Sequence, residues 1–287
     1  MKFNTVIGNP PYNNDIYLPL VIEVDSLCTK VSCFVTPAKW HAKLSEDNEK
    51  FRVTVANRMS HIIYYPEETD VFDIRCTGGI SIYLIQRHEV LDKQVDVISY
   101  RAKQFNDSRI RHIDFKRGYH QTLNNLGQEI VNRVIGNETY FKSMGFNGLI
   151  SNDNRKRYTV LFSTKVIYSG SSVTKHFYNN QGKTNVISAP RVYEVGDKNQ
   201  IETDATRYIF TSDNIHEIDS FVSWITCKFI RFLVLMGNVL LTGILNDEVW
   251  RFVPYTENLN MLYSDAYFYD KYNLNFEEIE LIEDTIT

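Results

Sequence analysis

Phe3-Asn4-Thr5-Val6-Ile7-Gly8-Asn9-Pro10-Pro11-Tyr12 decides how the rest of the chain is read. Apolar residues at Phe3, Val6 and Ile7 ahead of a glycine predict a strand, and the two prolines stop it. At average residue frequencies Asn-Pro-Pro-Tyr arises by chance about once in a thousand chains of this length. The plain reading is a proline-stiffened turn capped by an asparagine, with an aromatic ring packed on it. The sharper reading follows from its place at the end of a strand, because open α/β sheets hold ligands beyond the C-terminal ends of their strands.

Working outward, residues 16–27 predict a helix with Pro19 near its first turn, where proline is tolerated. Val31 to Thr36 predicts a second buried strand, stopped by Pro37. Ser45 is placed to cap a helix whose first turn carries Glu46 and Asp47, favourable at its positive end. His61 to Tyr65 predicts a third strand, and Ser81 to Gln86 with Val95 to Tyr100 a closing hairpin. The first domain, residues 1–100, is therefore expected to be α/β, a partial Rossmann-like sheet with an antiparallel hairpin edge. Residues 101–287 predict a mixed α+β region. Short strands are expected at Tyr158 to Phe162, Val166 to Tyr168, Asn185 to Ala189 and Arg207 to Thr211, with a helix near Leu123 to Val134. One long helix is expected from about Asn214, apolar at Ile215, Ile218, Phe221, Ile225, Phe229 and Phe232. The tail from Asp265 to Asp284 is acidic and ends in a helix.

The 287 residues are 43% hydrophobic and 23% charged, with seven prolines and thirteen glycines, which excludes a disordered, collagenous or coiled-coil protein. Cys28, Cys33, Cys76 and Cys227 form no C-x-x-C pair, so a reduced, cytoplasmic protein is expected. The apolar start is too short for a secretion signal. Lys228 and Arg231 fall inside the longest apolar run, Phe221 to Leu245, and argue for a buried helix rather than a membrane span. Seven scattered histidines give no metal site. Net charge is −4, but Arg101 to Lys183 holds fourteen Lys and Arg against five Asp and Glu, a local +9 that leaves −13 for the rest. A solvated basic surface is the bland account. A polyanion-binding face is the sharper one, with Arg109, Arg111, Lys116, Arg117, Arg155, Lys156 and Arg157 as phosphate contacts.

The loop's chemistry suits an exocyclic amine. The lone pair of adenine's amine is delocalised into the ring, so the nitrogen is a poor nucleophile. Two acceptors aimed at its N–H bonds, the Asn9 side-chain oxygen and the Pro10 carbonyl, would favour pyramidalisation and free the pair to attack. Pro10 and Pro11 hold that arrangement stiff. Tyr12 offers a face on which an extruded base stacks.

With these residues the chain resembles bacterial adenine-N6 DNA methyltransferases, chiefly type II restriction–modification methylases with an Asn-Pro-Pro-Tyr motif. Supporting patterns are Phe34 through Pro37 to Trp40, Asp70 to Phe72, Gly78 to Leu84, Lys228 to Leu233, Trp250 to Pro254, and Asp265 to Leu274. The resemblance implies a methyltransferase catalytic part followed by a DNA target-recognition region, S-adenosylmethionine as methyl donor, base flipping, and double-stranded DNA as partner. It also suggests Tyr83 as a second stacking residue, although an aromatic on an alternating strand is more often core. The departure is that the glycine-rich turn holding S-adenosylmethionine, upstream of the loop in that family, does not appear here, and no glycine forms a G-x-G. A cofactor-binding partner subunit or a missing N-terminal half is therefore expected. Two alternatives stand beside the methyltransferase component. One is an inactive methylase-like DNA-binding or specificity module; the other is a methylase acting on protein glutamine, which leaves the basic region unexplained.

Overall fold

In the computed structural model the described residues are 1–41, 43, 45–65, 68–73, 76, 78–87, 95–101, 104–110, 125–135, 156–163, 186–187, 190–194, 207–237, 247–254 and 258–286. Backbone contacts divide the chain into two compact units, built chiefly of residues 1–129 and 130–287.

The first unit is α/β. Its sheet has six strands, β1 (Phe3–Gly8), β2 (Cys28–Pro37), β3 (Met59–Tyr65), β4 (Ile80–Gln86), β5 (Val95–Arg101) and β6 (Gln104–Ile110), in the order β1-β2-β4-β3-β5-β6. β1 runs parallel to β2 and β3 parallel to β5; β4 is antiparallel to both β2 and β3, and β6 antiparallel to β5. Helices α1 (Tyr17–Ser26) and α2 (Glu46–Thr54) pack with one face of this sheet around Phe34, Trp40, Phe51, Ile62, Tyr64 and Tyr83, all 2% exposed or less. Val6 is the β1 residue that reaches this core.

Strands 1 to 3 form where the apolar runs predict them. The expected hairpin between residues 81–86 and 95–100 does not form. β4 is inserted between β2 and β3 instead, and the antiparallel edge hairpin is β5 with β6. The reason is in the side chains. Ile80, Tyr83 and Ile85 are buried on β4, and its alternate positions are half-buried, so the strand gains more with a neighbour on each side. The polar β6 sequence, Gln104-Phe105-Asn106-Asp107-Ser108-Arg109-Ile110, suits an edge.

Asp25 closes the end of the first unit away from the loop. It is 2% exposed, accepts from Ser32 Oγ at 2.7 Å and Arg58 at 2.6 Å, and faces Arg87 at 3.6 Å. Ser45 stands at the head of α2 in extended conformation, but its hydroxyl does not cap the helix amides. It accepts from Asn48 Nδ2 at 2.7 Å.

The second unit holds the antiparallel sheet β8-β7-β9, from β7 (Tyr158–Ser163), β8 (Arg191–Glu194) and β9 (Arg207–Ser212). The expected strand at 166–168 lies outside the described residues; of 185–189 only 186 and 187 are described. The single long helix expected from Asn214 is two, α4 (Ile215–Thr226) and α5 (Lys228–Met236), separated at Cys227 by an extended ψ of 136°. The break is stabilised on both sides: Thr226 Oγ1 donates to Val222 and Ser223 carbonyls, and Asp265 accepts the Phe229 amide at 2.9 Å. Ile215, expected on the buried face, is 37% exposed, whereas Ile218, Phe221, Ile225, Phe229 and Phe232 are fully buried. Helix α3 (Asn125–Ile135) spans the division between units, which falls after Glu129. Its Arg133 pairs with buried Glu278 through two contacts of 2.8 Å, across from the helices α6 (Asp265–Lys271) and α7 (Phe276–Thr285). Asn275 and Glu278 form a capping box at the start of α7. Among the described residues no helix is long and apolar enough to cross a membrane, and no group of three His, Cys, Asp or Glu is placed to hold a metal.

Candidate base-gripping loop and its surroundings

Because β1, β2, β3 and β5 share one direction, their C-terminal ends meet at one edge of the sheet. The Asn9–Tyr12 loop leaves β1 there. Beside it lie the turn Ala38–His41, which follows β2, and Gly78 and Gly79, which lead into β4. The Ala38 amide donates to the Gly79 carbonyl at 3.0 Å and ties those two turns together. Gly78 and Gly79 take φ of 100° and 77°, in the left-handed region that glycine reaches without strain.

Gly8 matters for how the loop starts. A Cβ at this position would stand 3.0 Å from the Phe34 ring, so a larger residue here requires that ring to give by a few tenths of an ångström. Pro10 is buried and Pro11 exposed, which fastens the loop at its middle. Asn9 is exposed, and its side chain makes no hydrogen bond among the described residues. Tyr12 is half-buried; its hydroxyl is shut off from solvent with no partner among the described residues. Burial, and secondarily nearby Cys76, pushes the Tyr12 phenol up to about 12, so it stays neutral at physiological pH.

After Tyr12 the backbone turns sharply. Asn14 and Asp15 have φ of 50° and 60°, two consecutive non-glycine residues in the left-handed region, which costs most side chains roughly 1–2 kcal/mol each and Asn and Asp less. The Ile16 amide donates to the Asn13 carbonyl at 3.0 Å, and the Asp15 carboxylate meets Lys43 Nζ at 2.6 Å. Cys76 is 8% exposed, and burial pushes its thiol up to about 11 against the pull of Lys39. At pH 8 only about one Cys76 in a thousand is thiolate, so alkylation by iodoacetamide is expected to be slow and to accelerate towards pH 11. Rapid modification at pH 8, found by peptide mass mapping of the folded chain, would contradict this burial.

The other residues singled out in the sequence are spread apart. Tyr83 is 1% exposed, with its ring centroid 5.5 Å from Trp40 and 6.2 Å from both Phe34 and Phe51. It is core packing beneath the loop, and no open face of its ring remains for a base. Arg109 lies on β6 opposite Asp96 in the ladder. Lys156 and Arg157 are exposed at the start of β7 in the second unit. Arg157 is already engaged, with Glu194 at 2.7 Å and over the Tyr158 ring at 5.0 Å. Arg111, Lys116, Arg117 and Arg155 lie outside the described residues.

Sequence reasoning missed Asp15, Lys43 and Cys76 around the loop. The only signal available for the turn was Asn13-Asn14-Asp15, residue types that enter the left-handed region more readily than others.

The described residues do not fit S-adenosylmethionine. The space beside Gly8 is filled by Phe34, and the Gly78-Gly79 turn leads into an antiparallel strand rather than a helix. No strand of the described sheet is followed by the glycine-rich turn and helix N-terminus that cradle such a ligand.

No family model matches the chain, and no curated protein does. Among solved structures it is similar to the methyltransferase subunit of a type I restriction-modification system from Streptococcus thermophilus. That superposition has 12% identity and a TM-score of 0.29, covering 39% of this chain and 30% of that one. It is also similar to the type IIG restriction endonuclease BpuSI, at 9% identity and a TM-score of 0.33, covering 93% of this chain and 43% of that one. The chain thus spans less than half the length of either. Superpositions this loose carry no chemistry, which must come from the chain's own residues.

Proposed function

We propose that this chain is the base-gripping and target-recognition component of a DNA adenine-N6 methyltransferase of restriction–modification type, working with a partner or further segment that holds S-adenosylmethionine. The observation that carries the reading is Asn9. Its amide is exposed and makes no hydrogen bond among the described residues, on a double-proline loop at the shared C-terminal edge of the parallel strands. In this role the Asn9 oxygen and the Pro10 carbonyl accept from the two N–H bonds of a flipped adenine, and Tyr12 lies against the base. S-adenosylmethionine held by that partner would supply an electrophilic methyl group, and this chain would orient the amine towards it. Arg109, Arg111, Lys116, Arg117, Arg155, Lys156 and Arg157 are proposed to track DNA phosphates.

Two features support a partner. The described residues lack the cofactor cradle, and β1 is an edge strand with Phe3 41% and Ile7 80% exposed. An added parallel strand there would complete the crevice in which such sheets bind ligands. The lack of a cradle among the described residues equally favours the second reading, an inactive DNA-binding module. Tritium transfer from S-adenosylmethionine to duplex DNA, measured after co-expression with a cofactor-binding half, separates the two. Incorporation supports the first. Duplex binding without any incorporation supports the second, and transfer to protein glutamine alone overturns both. By itself the chain is expected to show no stoichiometric micromolar binding of S-adenosylmethionine in titration calorimetry.

The basic stretch has its own test. Neutralising about five phosphates gives a log–log salt slope near −4 to −5 for duplex binding. Changing Lys156 and Arg157 together to Ala is expected to flatten that slope by up to about two units, equally for all sequences, because phosphate contacts position rather than specify. Arg157 already neutralises Glu194, so its share should be the smaller one. A salt-independent affinity in anisotropy titrations would refute the footprint.

A further inference from the structure

The loop that grips the base is followed immediately by the strained turn at Asn14 and Asp15, and a strained turn persists only where its surroundings over-determine it. The surroundings here can be traced residue by residue. Asp15 is held by the ammonium of Lys43 at 2.6 Å, with the two side chains 21% and 34% exposed. Lys43 itself is anchored through its backbone. Its amide donates to the Lys39 carbonyl at 3.0 Å, and its carbonyl accepts from Arg52 Nη1 at 2.7 Å. Arg52 lies on α2, is fully buried, and also donates to the Trp40 carbonyl at 2.7 Å. Trp40 is in turn packed against Phe51 and Tyr83 in the core. A buried guanidinium thus fixes the segment after β2, and that segment presents one flexible cation to the turn after the Asn9–Tyr12 loop.

We propose that Lys43 is a positioning residue for the Asn9–Tyr12 loop, holding the left-handed turn at Asn14 and Asp15 through its ion pair with Asp15. It touches no reacting atom. It acts by denying the loop its relaxed alternatives, so that Asn9 and Pro10 present their oxygens at a fixed spacing. The catalytic meaning rests on the function proposed above; the conformational claim does not.

Hydrogen–deuterium exchange on the full chain tests it. In Lys43→Ala, exchange of the peptide spanning residues 9–16 is expected to rise about tenfold, while β2 and β4 peptides and the melting temperature stay as in the parent. The swap of Asp15→Lys with Lys43→Asp should restore protection, because it restores the pair. Unchanged exchange at residues 9–16, or exchange that rises throughout the first unit, overturns the proposal. In the reconstituted methyl-transfer assay Lys43→Ala should lower kcat about tenfold with KM for DNA unchanged, and Lys43→Arg should recover most of it. A raised KM with unchanged kcat would overturn the positioning role. If instead the parent transfers no methyl group while exchange at residues 9–16 behaves as expected, the function reading fails and the clamp stands.

Discussion

Asn9→Ala, assayed with the cofactor-binding half supplied, is expected to lower methyl transfer to adenine by about a hundredfold or more while duplex affinity stays within about twofold. The side chain is exposed, so its loss is expected to leave the melting temperature unchanged. On the proposed function, what disappears is one acceptor aimed at an amine that gains charge in the transition state, a loss worth roughly 3 kcal/mol or more in such sites. On the proposed reading affinity is preserved because duplex binding draws on phosphate contacts, and Lys156 and Arg157, proposed for them, lie in the other unit. Tyr12→Ala should behave differently and weaken base extrusion and turnover together, since a stacking partner contributes about 1–3 kcal/mol. Full activity in Asn9→Ala, measured in single-turnover assays, would remove the loop from the chemistry.

Asp25→Ala is expected to be the most destabilising single change in the first unit, at about 3 kcal/mol, measured by urea unfolding. The carboxylate is 2% exposed and serves three groups at once, Ser32, Arg58 and Arg87. Its removal takes the carboxylate from Arg58, Arg87 and the Ser32 hydroxyl, although Arg87 still donates to the carbonyl of residue 25. Arg58 and Arg87 are 26% and 30% exposed, so part of their charge can rehydrate, which places the loss at the low end for a broken buried pair. Asp25→Asn, which keeps an acceptor for Ser32 but drops the charge, should lose about half as much. In a double-mutant cycle the Arg58 pairing should account for most of the difference. A cost below about 1 kcal/mol for Asp25→Ala would show the cluster to be ornamental.

Much of this was legible in residue order. The apolar runs at Phe3, Val31 and His61 mark their strands because each is short, β-branched and stopped by Gly or Pro. The loop stood out because a double proline after a strand has few other uses. What the sequence hid was pairing at a distance. Ile80 to Gln86 reads equally well as half of a hairpin or as an interior strand, and only the competition for burial between β2 and β3 decides. Asp25 looks like an ordinary polar residue near a helix end, and its partners lie 33 and 62 residues further on. Lys43 is one of many lysines until the turn at Asn14 and Asp15 brings a carboxylate to it. Cys227 interrupts an apolar periodicity that, on spacing alone, continues without a break.

The place of β4 carries a consequence for how the chain is made. A sheet whose strands pair in order of synthesis can grow as it emerges from the ribosome, but this one cannot. After 79 residues have appeared, β1 with β2 forms one fragment and β3 another, and the strand that joins them has not yet been translated. Until Ile80 to Gln86 arrives, both inner edges stand open with Phe34 and Ile62 beside them. The β1–β2 pair and β3 can join only once β4, made after both, is inserted between them. Slow, long-range closure of this kind is when exposed edges find the wrong partner. Release from the ribosome before residue 86 should yield aggregates, whereas release after residue 110, with the edge hairpin complete, should not.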